Sequence, residues 1–234
     1  MKRRTLLATA LVAAASIFAA PAFAAFPDKP VTVICPWTAG GGTDVLLRAL
    51  SKQAEKFLGQ TINVVNQTGG AGAIGHNAIR AARPDGYTVG MITFELNSLP
   101  PQGLVPFTWK DFDPVMLINT DAAALTVRAD APYSTVRGFM DHARANPGEI
   151  TIGNSAPGSV WHIAAGLAAK KTGVNVKHVP FNGAQPAVTA LVGGHIKAVA
   201  VSVAEVRSQV QAGNLKILGV MAAERDKIFP NVPT

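Results

Sequence analysis

Short β-branched runs alternate with longer amphipathic stretches along this chain, and that alternation predicts an α/β protein. In the first half the order is strand, helix, strand, helix, strand, at residues 31–35, 43–58, 62–65, 74–82 and 88–93. A βαβαβ order predicts a parallel sheet with helices on both faces. The proline-rich residues 94–113 that follow are predicted to form a long loop.

The second half repeats the pattern. Residues 115–118 and 125–127 have strand character, and Ser134 is predicted to cap a helix that ends before Pro147-Gly148. Further strands are predicted at residues 150–153, 176–179, 198–201 and 216–220, with helices at 159–171, 186–192 and 204–212. We therefore expect two α/β units joined near residues 118–125, and a ligand-binding cleft between them.

The N-terminus has the composition of a secretory signal peptide. Lys2, Arg3 and Arg4 precede an apolar run over residues 6–20, and residues 21–24 supply an A-x-A site. We expect cleavage between Ala24 and Ala25 and export to the periplasm, by either the Sec or the twin-arginine route. Cleavage removes three basic residues and lowers the formal net charge from +7 to +4.

Composition after cleavage argues against a nucleic-acid partner. The remaining charge is modest, no basic run follows the leader, and aromatic residues make up only 6% of the chain. A weak positive field still favours anionic solutes. Cys35 is the single cysteine, so stability depends on the apolar core that 48% hydrophobic residues can supply rather than on an internal disulfide.

Two glycine-rich turns carry the clearest chemical signal. The first glycine turn, residues 36–44, reads PWTAGGGTD, and the second glycine turn, residues 66–75, reads NQTGGAGAIG. Each follows a predicted strand and begins a helix, where exposed backbone N–H groups and the helix dipole favour an anion. Two such turns side by side predict an anion clamp that needs no charged side chain.

The second glycine turn also supports an alternative function. Gly70, Gly72 and Gly75 match G-x-G-x-x-G, and Glu95 lies twenty residues after Gly75, as in dinucleotide-binding folds. An NAD-dependent oxidoreductase is therefore the rival hypothesis. Export to a compartment with little free NAD and the position of the motif in the second βα turn weigh against it.

No other constellation predicts catalysis, a metal or a cofactor. Ser159 and His162 share a helix face without an acid to orient the imidazole, and the five histidines show no ligand spacing. The second unit offers polar and small residues at strand ends that can face the cleft. These are Ser155, Ser159, Phe181, Asn182, Gly183 and Ser202.

Several ordered motifs together resemble one family. They are the two glycine turns, PDGYT at residues 84–88, KDF at 110–112, GNSAPGSVWH at 153–162, HVPFNG at 178–183, LVGG at 191–194 and NVPT at 231–234. The chain resembles the Bug-type receptors, the TctC-like extracytoplasmic solute receptors of tripartite tricarboxylate transporters.

This resemblance implies a two-lobe periplasmic-binding-protein fold of type II (Venus flytrap) with parallel-rich sheets. The expected division is a signal peptide at residues 1–24, a first lobe at 25–120, a second lobe at 121–220 and a return segment at 221–234. The implied partners are a small organic anion and the membrane permease subunits of a transporter, with the receptor a monomer and no enzyme. The anion is expected to be a di- or tricarboxylate, an acidic amino acid or an aromatic acid.

Carried over by position, the resemblance also implies the ligand-binding residues. In such receptors backbone amides of the glycine turns and bound waters hold the carboxylate, and the second lobe adds polar contacts. The implied residues are Trp37, Thr38, Ala39, Gly40, Gly41, Thr43, Gly70, Ala71 and Gly72, with Ser155, Ser159, Phe181, Asn182, Gly183 and Ser202 closing the site.

Departures from the family pattern leave the solute open. Ala71 stands where glycine is usual, and Glu95 stands where a small polar residue is common. We expect Glu95 either to meet a ligand ammonium or hydroxyl or to be a solvent-facing acid. Family members continue after the motif that ends at Thr234, so the first lobe is expected to be incomplete and the chain poorly soluble on its own.

Overall fold

The computed structural model describes residues 26–234. The predicted signal peptide, residues 1–24, and its cleavage point lie outside the described residues.

The first unit is a three-stranded parallel sheet with its helices. Strands β1 (Val31–Cys35), β2 (Ile62–Asn66) and β3 (Thr88–Gly90) are arranged in the order β2-β1-β3. Helix α1 (Gly42–Leu58) connects β1 to β2, and α2 (Ala73–Ala81) connects β2 to β3. The predicted βαβαβ arrangement is confirmed: α1 joins the parallel neighbours β1 and β2, and α2 connects β2 to β3, which pairs in parallel with the other side of β1. The third strand ends at Gly90, three residues before its predicted end.

The segment after β3 is more ordered than the sequence predicted. It contains a short helix α3 (Glu95–Ser98) and 3₁₀ turns at Pro100–Gln102 and Trp109–Asp111. Leu99 and Phe107 are buried in a cluster with Ala71 of the first unit and Ala156 of the second. The segment therefore fills the contact between the two units instead of forming a solvated loop.

The strand predicted at residues 115–118 is wrong. Val115, Met116 and Leu117 belong to no strand and are 89%, 67% and 78% exposed. A β-branched run needs a hydrogen-bonding neighbour to become a strand, and no strand within residues 26–234 pairs with this one.

The second unit is a five-stranded mixed sheet in the order β6-β5-β7-β4-β8. Its strands are β4 (Ala123–Arg128), β5 (Thr151–Asn154), β6 (Lys177–Pro180), β7 (Ala198–Ser202) and β8 (Leu215–Val220). Its helices are α4 (Val136–Ala145), α5 (Val160–Thr172), α6 (Ala184–Val192) and α7 (Val203–Gln211). Strand β5 is parallel to β6 and β7, whereas β4 is antiparallel to β7 and β8.

Two layers of helices cover this sheet, and alternate residues of β7 face them. Ala198 and Ala200 pack into the cluster that holds Phe139 of α4, while Val199 and Val201 pack into the cluster that holds Leu191 of α6. This alternation is the two-residue period of a strand buried on both faces. Each fully buried Val, Leu or Phe contributes about 1.5–3 kcal/mol, so this unit has a substantial core.

Two predicted helix starts give different outcomes. The helix predicted to begin at residue 159 has Ser159 as its N-cap, since the Ser159 side chain accepts the His162 N–H at 3.4 Å. The predicted Ser134 cap is wrong: Thr135 caps α4 by accepting the Gly138 N–H at 3.0 Å. Thr135 has the extended backbone of an N-cap, and it is Thr135 whose side chain lies within reach of a free first-turn amide.

The last residues of the chain pack on the second sheet. Phe229 and Val232 contact the cluster of Ala124, Val203 and Val220, and the Val220 N–H donates to the Pro233 carbonyl at 2.9 Å. The lobe boundaries at residues 120 and 220 stay predictions. Within residues 26–234, the helices are too short or too polar to cross a bilayer.

Candidate functional site

The first glycine turn is held in place by Asp44, whose side chain is buried. The carboxylate of Asp44 accepts the Gly40 N–H at 2.9 Å, Arg48 Nε at 3.0 Å and Asn66 Nδ2 at 2.9 Å. Burial acts to raise the pKa of Asp44, but the hydrogen bonds from Arg48 and Gly40 outweigh it and lower the pKa. The ion pair of Asp44 and Arg48 therefore stabilises the conformation of the first glycine turn.

The second glycine turn has an unusual backbone. Gly69, Gly70, Ala71 and Gly72 all have positive φ, at 120°, 58°, 54° and 88°. The Gly72 N–H closes the turn by donating to the Gly69 carbonyl at 3.1 Å, so Gly70 and Ala71 carry the amides that a turn of this kind can offer to an anion. Ala71 is the one residue of the four that is not glycine, and an L-residue with a side chain carries strain of about 1–2 kcal/mol in this conformation.

The two glycine turns lie side by side. A β-carbon built on Gly72 would lie 3.4 Å from Trp37 Cζ2 of the first turn. One built on Gly75 would lie 2.6 Å from Pro36 Cα and from the Gln67 carbonyl oxygen, so only glycine allows α2 to approach the first turn this closely. The last glycine of the G-x-G-x-x-G motif thus has a packing role.

A buried polar network runs from Trp37 towards the second unit. Trp37 Nε1 donates to Thr93 Oγ1 at 3.3 Å, and the Thr93 N–H donates to His76 Nε2 at 3.3 Å. His76 is fully buried, and burial lowers its pKa to about 4, so its ring is neutral at pH 7. Since Nε2 accepts the hydrogen bond from the Thr93 N–H, the proton of the neutral ring is on Nδ1, which lies near Gly72.

Glu95 connects the first unit to the second. Its Oε2 accepts Thr93 Oγ1 at 2.6 Å, and its Oε1 accepts the Val160 N–H, the first amide of α5, at 2.8 Å. Glu95 is fully buried, so the expectation of a solvent-facing acid is wrong. Desolvation raises the pKa of this carboxyl, against the two hydrogen bonds.

The first glycine turn touches the second unit at three points, which define the cleft. β-Carbons built on its glycines or on Gly183 identify the contacts. A β-carbon on Gly183 would lie 2.5 Å from Thr38 Oγ1, and one on Gly40 would lie 3.7 Å from Gln185 Cγ. One on Gly42 would lie 3.0 Å from Glu205 Cγ. The cleft is therefore narrow here, because at each contact a glycine of one unit lies against a side chain of the other.

All three predicted serines donate their hydroxyl hydrogens within the second unit. Ser159 Oγ donates to the Ala156 carbonyl at 2.8 Å and receives Ser155 Oγ at 2.9 Å. Ser202 Oγ donates to Glu205 Oε2 at 3.2 Å. These hydroxyls shape the turns at the cleft edge, while Ser155 itself lines the groove.

The structure brings part of the predicted set together. A groove that begins in the cleft is lined by six of the predicted residues, Trp37, Thr38, Gly41, Thr43, Glu95 and Ser155. Ala39 and Gly40 lie at the exposed rim of the first glycine turn, and Gly70, Ala71 and Gly72 form the adjacent second turn. Phe181 packs against the core of the second unit and Asn182 is exposed, beside Gly183 at the start of α6.

Sequence reasoning missed Glu205 in the first turn of α7. Its Oε2 accepts the Ser202 N–H at 2.9 Å, and it lines the same groove as Thr38 and Ser155. Burial raises the pKa of Glu205 to about 7, although Ser202 donates to the carboxylate. The spacing Ser202-x-x-Glu205 is that of a capping box, a signal that could have placed this acid at a strand end facing the cleft.

Comparisons with known proteins agree on one family. Residues 46–234 match the model of the tripartite tricarboxylate transporter family receptor, TctC. A Cupriavidus necator relative, the UPF0065 protein in the gbd 5' region, is 33% identical over 244 aligned positions that cover 100% of this chain and 74% of the relative.

Two solved structures share the fold. A structure described as a periplasmic transporter is 32% identical, with a TM-score of 0.85 over 90% of this chain and 71% of its own. MatC (Rpa3494) from Rhodopseudomonas palustris with bound malate is 27% identical, with a TM-score of 0.81 over 89% and 72%. The predicted α/β periplasmic-binding-protein fold is confirmed.

The family finding also decides between the two functional hypotheses. TctC and Bug proteins are solute receptors, so the oxidoreductase alternative built on Gly70, Gly72, Gly75 and Glu95 is wrong. Glu95 instead bonds to Val160 of the second unit. The chain belongs to the TctC family of tripartite tricarboxylate transporter receptors and is a solute-binding protein.

Proposed function

We propose that this chain captures a small organic carboxylate in the periplasm and delivers it to the membrane subunits of a tripartite transporter. The carboxylate binds between the two glycine turns, where the amides of residues 70–71 and of residues 37–39 donate to it. Ser155 and Gly183 close the site from the second unit. Signal-peptide cleavage between Ala24 and Ala25 is part of this proposal.

One observation carries the proposal: the two glycine turns are adjacent at the carboxyl ends of the neighbouring parallel strands β1 and β2. Ligands of open α/β sheets bind at this edge. The positive-φ amides of Gly70 and Ala71 and the start of α2 supply positive potential, and Trp37 provides an apolar wall next to them. The malate found in MatC supports a carboxylate ligand for the similar cleft here.

Capture follows from closure of the two units around the solute. A ligand that contacts both glycine turns and Ser155 binds the closed state more tightly than any open state and shifts the population towards it. The polar network from Trp37 through Thr93 to Glu95 joins the first glycine turn to the second unit. A ligand that contacts Trp37 is therefore connected by hydrogen bonds to the contact between the two units.

A thermal-unfolding screen tests the proposal. Purified chain is heated with lactate, malate, adipate, citrate, glutamate and benzoate, with NAD as the negative control. Binding at one hundred times Kd stabilises the folded state by about 2.7 kcal/mol, an easily measured rise in Tm. A rise with at least one acid and none with NAD is expected, whereas a rise with NAD alone contradicts the proposal.

A matched pair of glycine variants locates the site. Gly72→Ala places a methyl group between Trp37 and His76, while Gly103→Ala, also at positive φ, meets no atom within 4 Å. Both carry similar backbone strain, so a loss of ligand-induced stabilisation in the first and its retention in the second is expected. Equal ligand responses in the two variants would place the ligand elsewhere.

A further inference from the structure

Two glutamates bridge the units in opposite directions. Glu95 of the first unit accepts the first amide of α5 in the second unit at 2.8 Å. Glu205 of the second unit lies against Gly42, the first residue of α1 in the first unit, where a built β-carbon would lie 3.5 Å from its Oε1. Each acid thus sits at the N-terminus of a helix that belongs to the other unit.

Those helix starts are natural anion positions, and the chain fills both with its own carboxylates. A helix N-terminus carries roughly half a positive charge and attracts one anion. Gly41, the N-cap of α1, has no side chain, and the Asp44 carboxylate in the first turn accepts from Gly40, Arg48 and Asn66, so Glu205 is the acid that lies against Gly42. The second glycine turn is then the anion position that remains for a ligand.

Within the described residues, few basic side chains are available to neutralise a further negative charge on the ligand. Among residues 26–234, the basic side chains that line the groove are Arg80 and Arg83. Arg80 is in the last turn of α2, on the order of 10 Å along the helix from the second glycine turn, and it lies over the Phe107 ring. Like charges in a partly desolvated cleft repel by several kcal/mol, so a second ligand carboxylate is strongly disfavoured beside Glu205.

We propose that Glu95 and Glu205 are specificity-determining residues that restrict the cleft to solutes with a single carboxylate and a hydroxyl or ammonium donor at the other end. The carboxylate occupies the second glycine turn, and the donor faces the wall formed by Glu205 and Ser155. This inference rests on the proposed function and narrows its substrate class, away from the dicarboxylate seen in MatC.

Isothermal titration at pH 8, where the Glu205 carboxyl is ionised, tests the inference with matched ligand pairs. Lactate and malate differ by one carboxylate, as do alanine and aspartate. The wild-type chain is expected to bind the monocarboxylate of at least one pair about tenfold or more tightly than its partner. Glu205→Gln keeps the acceptor for Ser202 and removes the charge, so it is expected to reduce that ratio about tenfold.

Two further variants distinguish the effect of the cleft glutamates on the affinity ratio from a general effect of net charge. Glu95→Gln keeps an acceptor for Val160 and is expected to change the ratio in the same direction. Glu149→Gln removes an acidic side chain from an exposed position between α4 and β5, and it is expected to leave the ratio at its wild-type value.

The outcomes distinguish this inference from the proposed function. Wild-type chain that binds malate or aspartate as tightly as the matched monocarboxylate overturns the inference and leaves the receptor function standing. A monocarboxylate preference that survives unchanged in Glu205→Gln and Glu95→Gln removes both residues from specificity. Folded wild-type chain that binds no organic acid at all overturns the proposed function together with the inference.

Discussion

Thr38 and Gly183 meet across the cleft so closely that a β-carbon on Gly183 would lie 2.5 Å from Thr38 Oγ1. Gly183 precedes α6 with φ of 120°, a region that favours glycine. Thr38 Oγ1 is buried and has no hydrogen-bond partner among the described residues. The two units are therefore in close contact at this position, which has no room for a larger side chain on Gly183.

Gly183→Ala is expected to impair closure and lower ligand affinity about tenfold or more, because the added methyl must move Thr38 or separate the units. Calorimetric titration with the best acid from the screen measures the effect. Gly173→Ala is the control: it also adds a methyl at positive φ, 68°, but meets no atom within 4 Å. Equal affinities for the two variants would show that this contact is absent from the bound state.

Glu95→Ala is expected to lower the free energy of unfolding by about 1–3 kcal/mol, because it leaves the buried Val160 N–H without its acceptor. Glu95→Gln retains an acceptor and is expected to lose less. Urea denaturation of both variants measures the difference. A Glu95→Ala variant as stable as the wild type would mean that water replaces the carboxylate at α5.

Glu205 gives a pH dependence with a definite sign. Its pKa is raised from the ordinary 4.5 to about 7, so between these values the folded state binds more protons than the unfolded state. The free energy of unfolding therefore falls as pH rises from about 4.5 to about 7, by up to about 3 kcal/mol, and this contribution is constant above pH 7.

Comparison of Glu205→Gln with the wild type isolates that contribution. The variant is expected to gain stability relative to the wild type as pH rises through this window, measured by urea denaturation at steps from pH 4.5 to 8. His76, whose pKa is lowered to about 4, titrates in both proteins and cancels in the difference. A difference that does not vary with pH contradicts a buried, desolvated Glu205.

Asp44→Ala is expected to destabilise the chain by about 2–4 kcal/mol and to abolish ligand binding, because it frees the Gly40 amide and leaves the Arg48 charge without its partner. Asp141→Ala, which breaks an exposed pair with Arg144, is the control and is expected to cost under about 1 kcal/mol. Denaturation and titration of both variants measure the two effects. Similar losses would mean that Asp44 does not organise the first glycine turn.

The local features of the fold were predictable because each depends on neighbours in sequence. Strand β1 was placed at its observed bounds, and the helix predicted at residues 159–171 lies within one residue of α5 at each end, since strand and helix periodicity act over a few residues. The run at residues 115–118 misled because strand propensity acts only where a partner strand is available.

The contacts between the units could not be predicted in this way. Glu95 and Val160 are separated by 65 residues, and their hydrogen bond exists only because the two units pack together. The approach of Glu205 to Gly42 depends on the same packing. The sequence motifs predicted Glu95 as a cleft residue, and the capping-box spacing from Ser202 could have predicted Glu205 as one. Neither motif identifies the residue of the other unit that each glutamate contacts.

The most direct test of the account is a crystal structure of the chain with the acid that stabilises it most. We expect a ligand carboxylate within hydrogen-bonding distance, about 2.7–3.2 Å, of the backbone amides of residues 70–71, in contact with Trp37 and enclosed by Ser155 and Gly183. A ligand bound outside the cleft, or one whose carboxylate contacts neither glycine turn, would contradict the central claim that these two turns form the receptor site.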